Sequence, residues 1–253
     1  MAIQSEQTTQ PERVIEPTQK DDQEDNLERS LRPKSLQEYV WQENIKKQLG
    51  VAIDAAKIRG DTLEHVLFYG PPGLGKTTLS IIIAHEMNGQ IKHTSAPAID
   101  KQSDAVSLLT GLQEWDVLFI DEIHRLKPII EETLYSAMED YQIDIILGTW
   151  PGATSVRMDL PKFTLIGATT KLSALSNPLR DRFGSVMKLD MYTDSDLSAI
   201  ASRTGGILDA HISDDVARSI AKRSRGTPRV TNRLVKVIRD YMTIGEKVSN
   251  EKE

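Results

Sequence analysis

The chain has 253 residues and a mass of 28.3 kDa, with 39% hydrophobic and 27% charged side chains, an ordinary balance for a soluble protein built as one large domain and a smaller one. No apolar run approaches the roughly 18 residues that span a bilayer, the first thirty residues carry no apolar signal stretch, and cysteine is absent; the sequence predicts a cytoplasmic protein without disulfides or thiolate chemistry. The net charge of −6 argues against coating nucleic acid by bulk charge, but residues 203–241, with nine basic and four acidic side chains, stand at +5, while residues 1–30, with eight acidic and three basic, stand at −5.

Residues 1–27 are polar and rich in Gln, Glu and Asp, too poor in apolar surface to offset their ordering entropy, and are predicted to be a disordered tail. Order is expected to begin near Leu31-Arg32-Pro33. The spacing of Ile45, Leu49, Ile53 and Ala56 predicts a helix over Ile45–Arg59. Val66–Tyr69 reads as a buried strand, followed by a Gly/Pro loop and a helix over Lys76–Met87. A strand over Val117–Ile120 precedes a helix near Ile129–Asp140. Residues 143–160 read as a β-hairpin about Pro151-Gly152, an insertion in the strand–helix rhythm. Strands over Phe163–Ile166 and Val186–Leu189 follow. Short buried strands separated by helices predict an α/β fold, a parallel sheet sandwiched by helices. Beyond Ser195 the pattern turns helical over 195–203, 213–223 and 228–242. The expected organisation is a large domain over 28–190, a small all-α domain over 191–243 and a polar tail over 244–253, with no internal repeat.

The strongest chemical signal is Gly70-Pro71-Pro72-Gly73-Leu74-Gly75-Lys76-Thr77, which fits G-x-x-x-x-G-K-[ST] between a strand and a helix, the context of a true P-loop. Glycines let the backbone curl so that its N–H groups face phosphate oxygens, and the helix N-terminus favours negative charge. Lys76 is expected on the β/γ-phosphates and the Thr77 hydroxyl on Mg²⁺. Leu118-Phe119-Ile120-Asp121-Glu122 delivers two carboxylates to a strand's end, Asp121 for the Mg²⁺ shell and Glu122 as the base that polarises the attacking water. Thr170 ends another strand, placed for the γ-phosphate or the water, or simply as a strand-end cap. In Pro178-Leu179-Arg180-Asp181-Arg182-Phe183-Gly184 an arginine either reaches a neighbouring subunit's γ-phosphate or pairs locally with Asp181.

These elements, in this order, resemble the AAA+ ATPases. Leu31-Arg32-Pro33, Glu38-Tyr39-Val40, Gly70 to Thr78, Asp121 to Leu126, Ala137 to Tyr141, Ile166 to Thr170, Pro178 to Gly184 and Arg223 to Arg229 narrow the resemblance to the RuvB family over residues 28–242. The resemblance implies an AAA+ P-loop NTPase with a small helical lid, an ATP-driven homohexameric ring working with Mg²⁺ on four-way junction DNA in branch migration, and RuvA as adaptor. It further implies that Leu31 and Arg32 border the nucleotide and that Tyr192 lies near the adenine. Gly73, Gly75, Lys76, Thr77 and Thr78 then hold the phosphates, and Thr170 matches the sensor 1 position. Arg182 matches the arginine finger and Arg229 the sensor 2 position, and Glu139, Asp140 and Tyr141 match a segment that meets nucleotide at the subunit interface. In the family the hairpin docks on RuvA, which makes Val156 and Met158 contacts rather than core.

Four positions depart from the family's usual residues: Trp41 and Ala96 stand where glycine is usual, and Trp150 and Thr154 where small and basic residues are usual. The family continues into a winged-helix DNA-binding domain that is not in this sequence, so the basic run Arg218, Lys222, Arg223 and Arg225 is either a DNA-facing surface or a solvated face. Two other readings stay open: a clamp-loader-like AAA+ subunit, and a ring-forming regulatory or decoy subunit that hydrolyses ATP without gripping DNA.

Overall fold

The structure, a computed structural model, describes residues 30–39, 42–147 and 154–250, without the side chains of 146, 147, 154 and 246–250. Trp41, Trp150, the Pro151-Gly152 turn and the polar stretch 1–27 lie outside the described residues. The chain forms two compact units, residues 1–32 and 33–253. In the first, Ser30 and Leu31 are helical and Arg32 lies in a bend.

The second unit is built on a five-stranded parallel sheet of β1 (Val66–Tyr69), β2 (Ile91–Ser95), β3 (Val117–Asp121), β6 (Thr164–Thr169) and β7 (Ser185–Lys188), in the order β2-β3-β6-β1-β7. The three central strands are the apolar runs, buried on both faces. Alternate residues serve opposite faces. Val66, Phe68, Val117, Phe119, Ile166 and Ala168 pack with Leu49 and Ile53 of α1 (Glu43–Arg59) and Leu79, Ile82 and Ile83 of α2 (Lys76–Glu86). Leu67, Leu118, Ile120 and Leu165 pack with Leu109 of α3 (Gln102–Thr110) and Ile130 and Leu134 of α4 (Pro128–Glu139).

β2 and α3 have no counterpart in the sequence reading. β2, Ile-Lys-His-Thr-Ser, is an edge strand with no fully buried residue and so no apolar run to betray it. The hairpin appears as a separate two-stranded sheet, β4 (Gln142–Leu147) against β5 (Thr154–Asp159), with Ile143 opposite Met158 and Ile145 opposite Val156. Ile143 is buried, while Val156 and Met158 are each 41% exposed, so the inward-packing alternative fails for these two.

The short α5 (Asn177–Arg180) precedes β7, and three further helices follow: α6 (Asp194–Ile207), α7 (Asp214–Arg223) and α8 (Pro228–Asn250). Thr193 and Ser213 cap α6 and α7 through side-chain oxygens that accept N–H groups of the first turn. α8 runs eight residues beyond the expected end at 242, through a stretch expected to be a polar tail. Gly245 costs a helix only about 1 kcal/mol relative to alanine and does not stop it.

Candidate functional site

Because the sheet is parallel, β1, β3 and β6 end at one edge, and the register places Tyr69 beside Thr169 and Ile120 beside Gly167. Loops leaving that edge carry the chemical groups. After β1 the backbone curls through Gly70, Gly73 and Gly75 at φ 145°, 81° and 97°, conformations that L side chains rarely adopt. A Cβ on Gly70 would also lie 2.5 Å from the carbonyl oxygen of Leu189, so only glycine fits. The curl ends on the N-terminus of α2, where Lys76 is buried and Thr77 and Thr78 are half-buried.

The Lys76 ammonium donates to the carbonyls of Gly70 and Pro71, both at 2.8 Å. Burial lowers its pKa, against the opposing pull of the Asp121 and Glu122 carboxylates, while nearby Arg229 adds to the lowering. The site thus holds a buried cation bound only to two neutral carbonyls, which suits an incoming polyanion.

Asp121 ends β3, and its carboxylate accepts the Glu122 N–H at 2.9 Å. Glu122 itself takes a left-handed backbone, φ 49°, which turns the chain into a 3₁₀ turn over Ile123–Arg125. The Thr170 hydroxyl donates to the Glu122 carboxylate at 3.1 Å. His124 Nδ1 lies 3.2 Å from the same carboxylate and 2.8 Å from the Thr169 hydroxyl, which in turn accepts the Lys171 N–H at 2.9 Å. The carboxylate is therefore oriented from two sides. Among the described residues no group of three His, Asp or Glu side chains forms a metal cage. Thr77 and Asp121 suit Mg²⁺, an ion that commonly takes one or two protein oxygens and completes its shell with phosphates and water.

The helical segment closes on the P-loop. The Tyr192 N–H donates to the Gly226 carbonyl at 3.1 Å, and its hydroxyl donates to the Leu74 carbonyl at 3.2 Å. A Cβ on Gly73 would lie 3.3 Å from Arg229 Cβ, which places the Arg229 stem against the curl.

Arg182 lies apart from this cluster. It pairs with Glu139 at 3.1 Å, donates to the Pro178 carbonyl at 2.7 Å and lies over the Tyr135 ring. The partner of Asp181 is Arg180, at 3.8 Å. No hydrogen bond or ion pair among the described residues joins Arg182 to its own P-loop. Asp140 is the exposed residue after α4, and Tyr141, at φ 52°, turns its ring edge-on to Phe163. Leu31 and Arg32 belong to the short first unit. Sequence reasoning gave no role to His124, Tyr39, Tyr135 or Glu131, whose contacts join distant elements; only the closeness of His124 to Glu122 offered a signal.

Residues 31–189 match the Holliday junction DNA helicase RuvB P-loop domain, and residues 192–253 match the RuvB AAA lid domain. The chain is 55% identical over 232 residues to the Holliday junction branch migration complex subunit RuvB of Sulfurimonas denitrificans, covering 92% of this chain and 68% of that one. It superimposes on the Thermotoga maritima RuvB Holliday junction branch migration motor with TM-score 0.78 at 51% identity, covering 86% of this chain and 68% of the other. A lysine-to-arginine variant of that motor aligns equally well, with TM-score 0.78 at 52% identity over 85% of this chain and 68% of the other. With both models matched and a relative more than half identical, the chain belongs to the RuvB family of AAA+ P-loop ATPases.

Proposed function

We propose that the chain is the ATP-hydrolysing motor subunit of a RuvB-type ring that drives branch migration of Holliday junctions in the cytoplasm. The observation that carries this reading is the convergence of Lys76, Asp121, Glu122 and Thr170 at the carboxyl edge of one parallel sheet. On nucleotide binding Lys76 turns from the Gly70 and Pro71 carbonyls to phosphate oxygens, and the N–H groups around Gly73, Gly75, Thr77 and Thr78 complete the cradle. Thr77 and Asp121 are the residues that hold Mg²⁺, which supplies charge neutralisation of the triphosphate when bound.

Glu122 takes up the proton of the attacking water, and Thr170 holds its carboxylate in line for that task. Arg229 brings the helical segment to the nucleotide, and Tyr192 borders the base. Arg182, Glu139, Asp140 and Tyr141 act across a subunit interface on the next subunit's nucleotide, in a homohexamer. The absence of any hydrogen bond or ion pair from Arg182 to its own P-loop among the described residues supports action in trans. RuvA docks on β4–β5 through the exposed Val156 and Met158. The basic face of α7 and the following turn, with Arg218, Lys222, Arg223 and Arg225 exposed, is the candidate for direct contact with junction DNA.

A clamp-loader-like role gains nothing from the family match, and a decoy role gains nothing from an intact hydrolysis cluster. The test is steady-state ATP hydrolysis with Mg²⁺ in the wild type and in Lys76→Ala. Turnover should fall at least about a hundredfold in the variant. Sustained turnover without the lysine overturns the assignment.

A further inference from the structure

α4 presents Glu131, Tyr135 and Glu139 on one stripe at four-residue spacing, and each holds a different part of the segment that carries Arg182. Glu131, buried, accepts the Ser176 hydroxyl at 2.6 Å and the Tyr135 hydroxyl at 3.1 Å. Ser176 is the N-cap of α5, accepting the Leu179 N–H at 3.3 Å, so Glu131 fixes where that short helix starts. At the other end Glu139 meets one outer nitrogen of the Arg182 guanidinium at 3.1 Å, and the Pro178 carbonyl meets the other at 2.7 Å.

Between them lies the Tyr135 ring, with the guanidinium carbon 4.3 Å from its centroid. Arg182 Nε is buried and makes no hydrogen bond, so nothing polar fixes the inner edge of the guanidinium. A planar, weakly hydrated cation settles face-on over an aromatic ring, and that contact sets its plane without using its donors. The ring is in turn held by its hydroxyl through Glu131 and Ser176.

We propose that Tyr135 is the positioning residue for Arg182: its ring sets the plane in which the guanidinium is offered to the neighbouring subunit's nucleotide. The outer nitrogens are then the ones available to phosphate once Glu139 and Pro178 release them. This rests on the reading of Arg182 as a finger acting in trans, and the test separates the two claims.

Rings are formed by mixing variants of the full chain, and ATP hydrolysis is measured at saturating Mg²⁺-ATP. Glu122→Gln supplies a finger but no working site; Arg182→Ala supplies a site but no finger. Tyr135→Leu alone should lose roughly tenfold in kcat with KM nearly unchanged, whereas Tyr135→Phe, which keeps the ring, should retain turnover. Mixed with Glu122→Gln, Tyr135→Leu should regain turnover at its own sites; mixed with Arg182→Ala, it should not. Tyr135→Met, which fills the same space without a π face, repeats the test if the leucine variant does not fold. Rescue of Arg182→Ala without rescue of Tyr135→Leu, or wild-type kcat in both the leucine and methionine variants, overturns the role of Tyr135 and leaves the finger standing. Failure of Glu122→Gln to rescue Arg182→Ala sinks the finger itself, and this inference with it.

Discussion

The hydroxyls of Tyr39 and Tyr192 meet at 2.9 Å, beneath the P-loop. Tyr192 donates to the Leu74 carbonyl, which can only accept, so the Tyr39 hydroxyl donates to the Tyr192 oxygen. Burial pushes the Tyr192 hydroxyl up to about 12 and raises Tyr39 well above the usual tyrosine range, so both keep their protons. A Cβ on Gly75 would come within 3.1 Å of the Tyr39 oxygen. The pair therefore ties the segment before α1, the P-loop and the entry to α6 into one chain of donors.

That direction makes the two hydroxyls unequal. Tyr39→Phe leaves one buried oxygen short of a donor and should cost about 1 kcal/mol of stability. Tyr192→Phe strands both the Leu74 carbonyl and the Tyr39 hydroxyl and should cost about 2 kcal/mol. The double variant should be little worse than Tyr192→Phe alone, a coupling of about 1 kcal/mol in a denaturant-unfolding cycle. Strict additivity would show that the hydroxyls do not interact.

Glu122 is held by Thr170 at 3.1 Å and by His124 at 3.2 Å, so the base and its supports should separate kinetically. Glu122→Gln should lower kcat by about 10²–10⁴ with ATP affinity kept, since the amide cannot take the water's proton. Thr170→Val should cost less, roughly tenfold, because His124 still meets the carboxylate. A Thr170→Val loss as deep as that of Glu122→Gln would mean that the hydroxyl acts on the substrate directly rather than on the base.

What the sequence made legible follows from burial. β1 and most of β3 are continuous apolar runs, and β6 is built from small and apolar residues between two buried threonines, because both faces of these strands are covered; the P-loop is legible because its curl admits only glycine at Gly70. β2 was not legible: an edge strand needs little apolar surface and shows none of its pattern. Lys76, Asp121, Glu122 and Thr170 could be named because each follows a readable strand. The roles of Tyr39, Tyr135 and Glu131 could not be read, since their partners Tyr192, Arg182 and Ser176 are 153, 47 and 45 residues distant and no local pattern encodes such a meeting.

Val156 and Met158 lie on β5 with 41% exposure each and should be dispensable for folding. Val156→Asp and Met158→Asp are expected to change stability by less than about 0.5 kcal/mol, as surface substitutions usually do. Affinity for RuvA, measured by calorimetry, should fall by roughly tenfold or more for the pair, because a carboxylate in an apolar contact is left desolvated. Unchanged affinity in both variants would move the adaptor site elsewhere on the chain.

His65 is buried where β1, β6 and the end of α4 meet, and every polar atom of its ring is used. Nδ1 accepts the Leu165 N–H at 2.9 Å, which requires that nitrogen to be unprotonated; Nε2 then carries the proton and donates to the Met138 carbonyl at 3.1 Å. The rings of Tyr141 and Phe163, at centroid distances of 6.2 and 5.6 Å, close its sides. Burial holds its pKa down to about 4, only partly countered by the Met138 carbonyl. The folded state thus resists protonation that the unfolded chain accepts below about pH 6.5. The stabilisation is complete above that pH and is lost progressively as pH falls from 6.5 towards 4, by about 3 kcal/mol in all. Carboxylates titrate in part of the same window, so the contribution is read as a difference from His65→Gln, whose amide can accept from Leu165 and donate to Met138 without gaining charge. Denaturant unfolding at pH 7.5, 6 and 5 should show the wild type losing its advantage over the variant across that range. Parallel curves for the two proteins would mean that the imidazole titrates alike in the folded and unfolded chains, contrary to its place in the core.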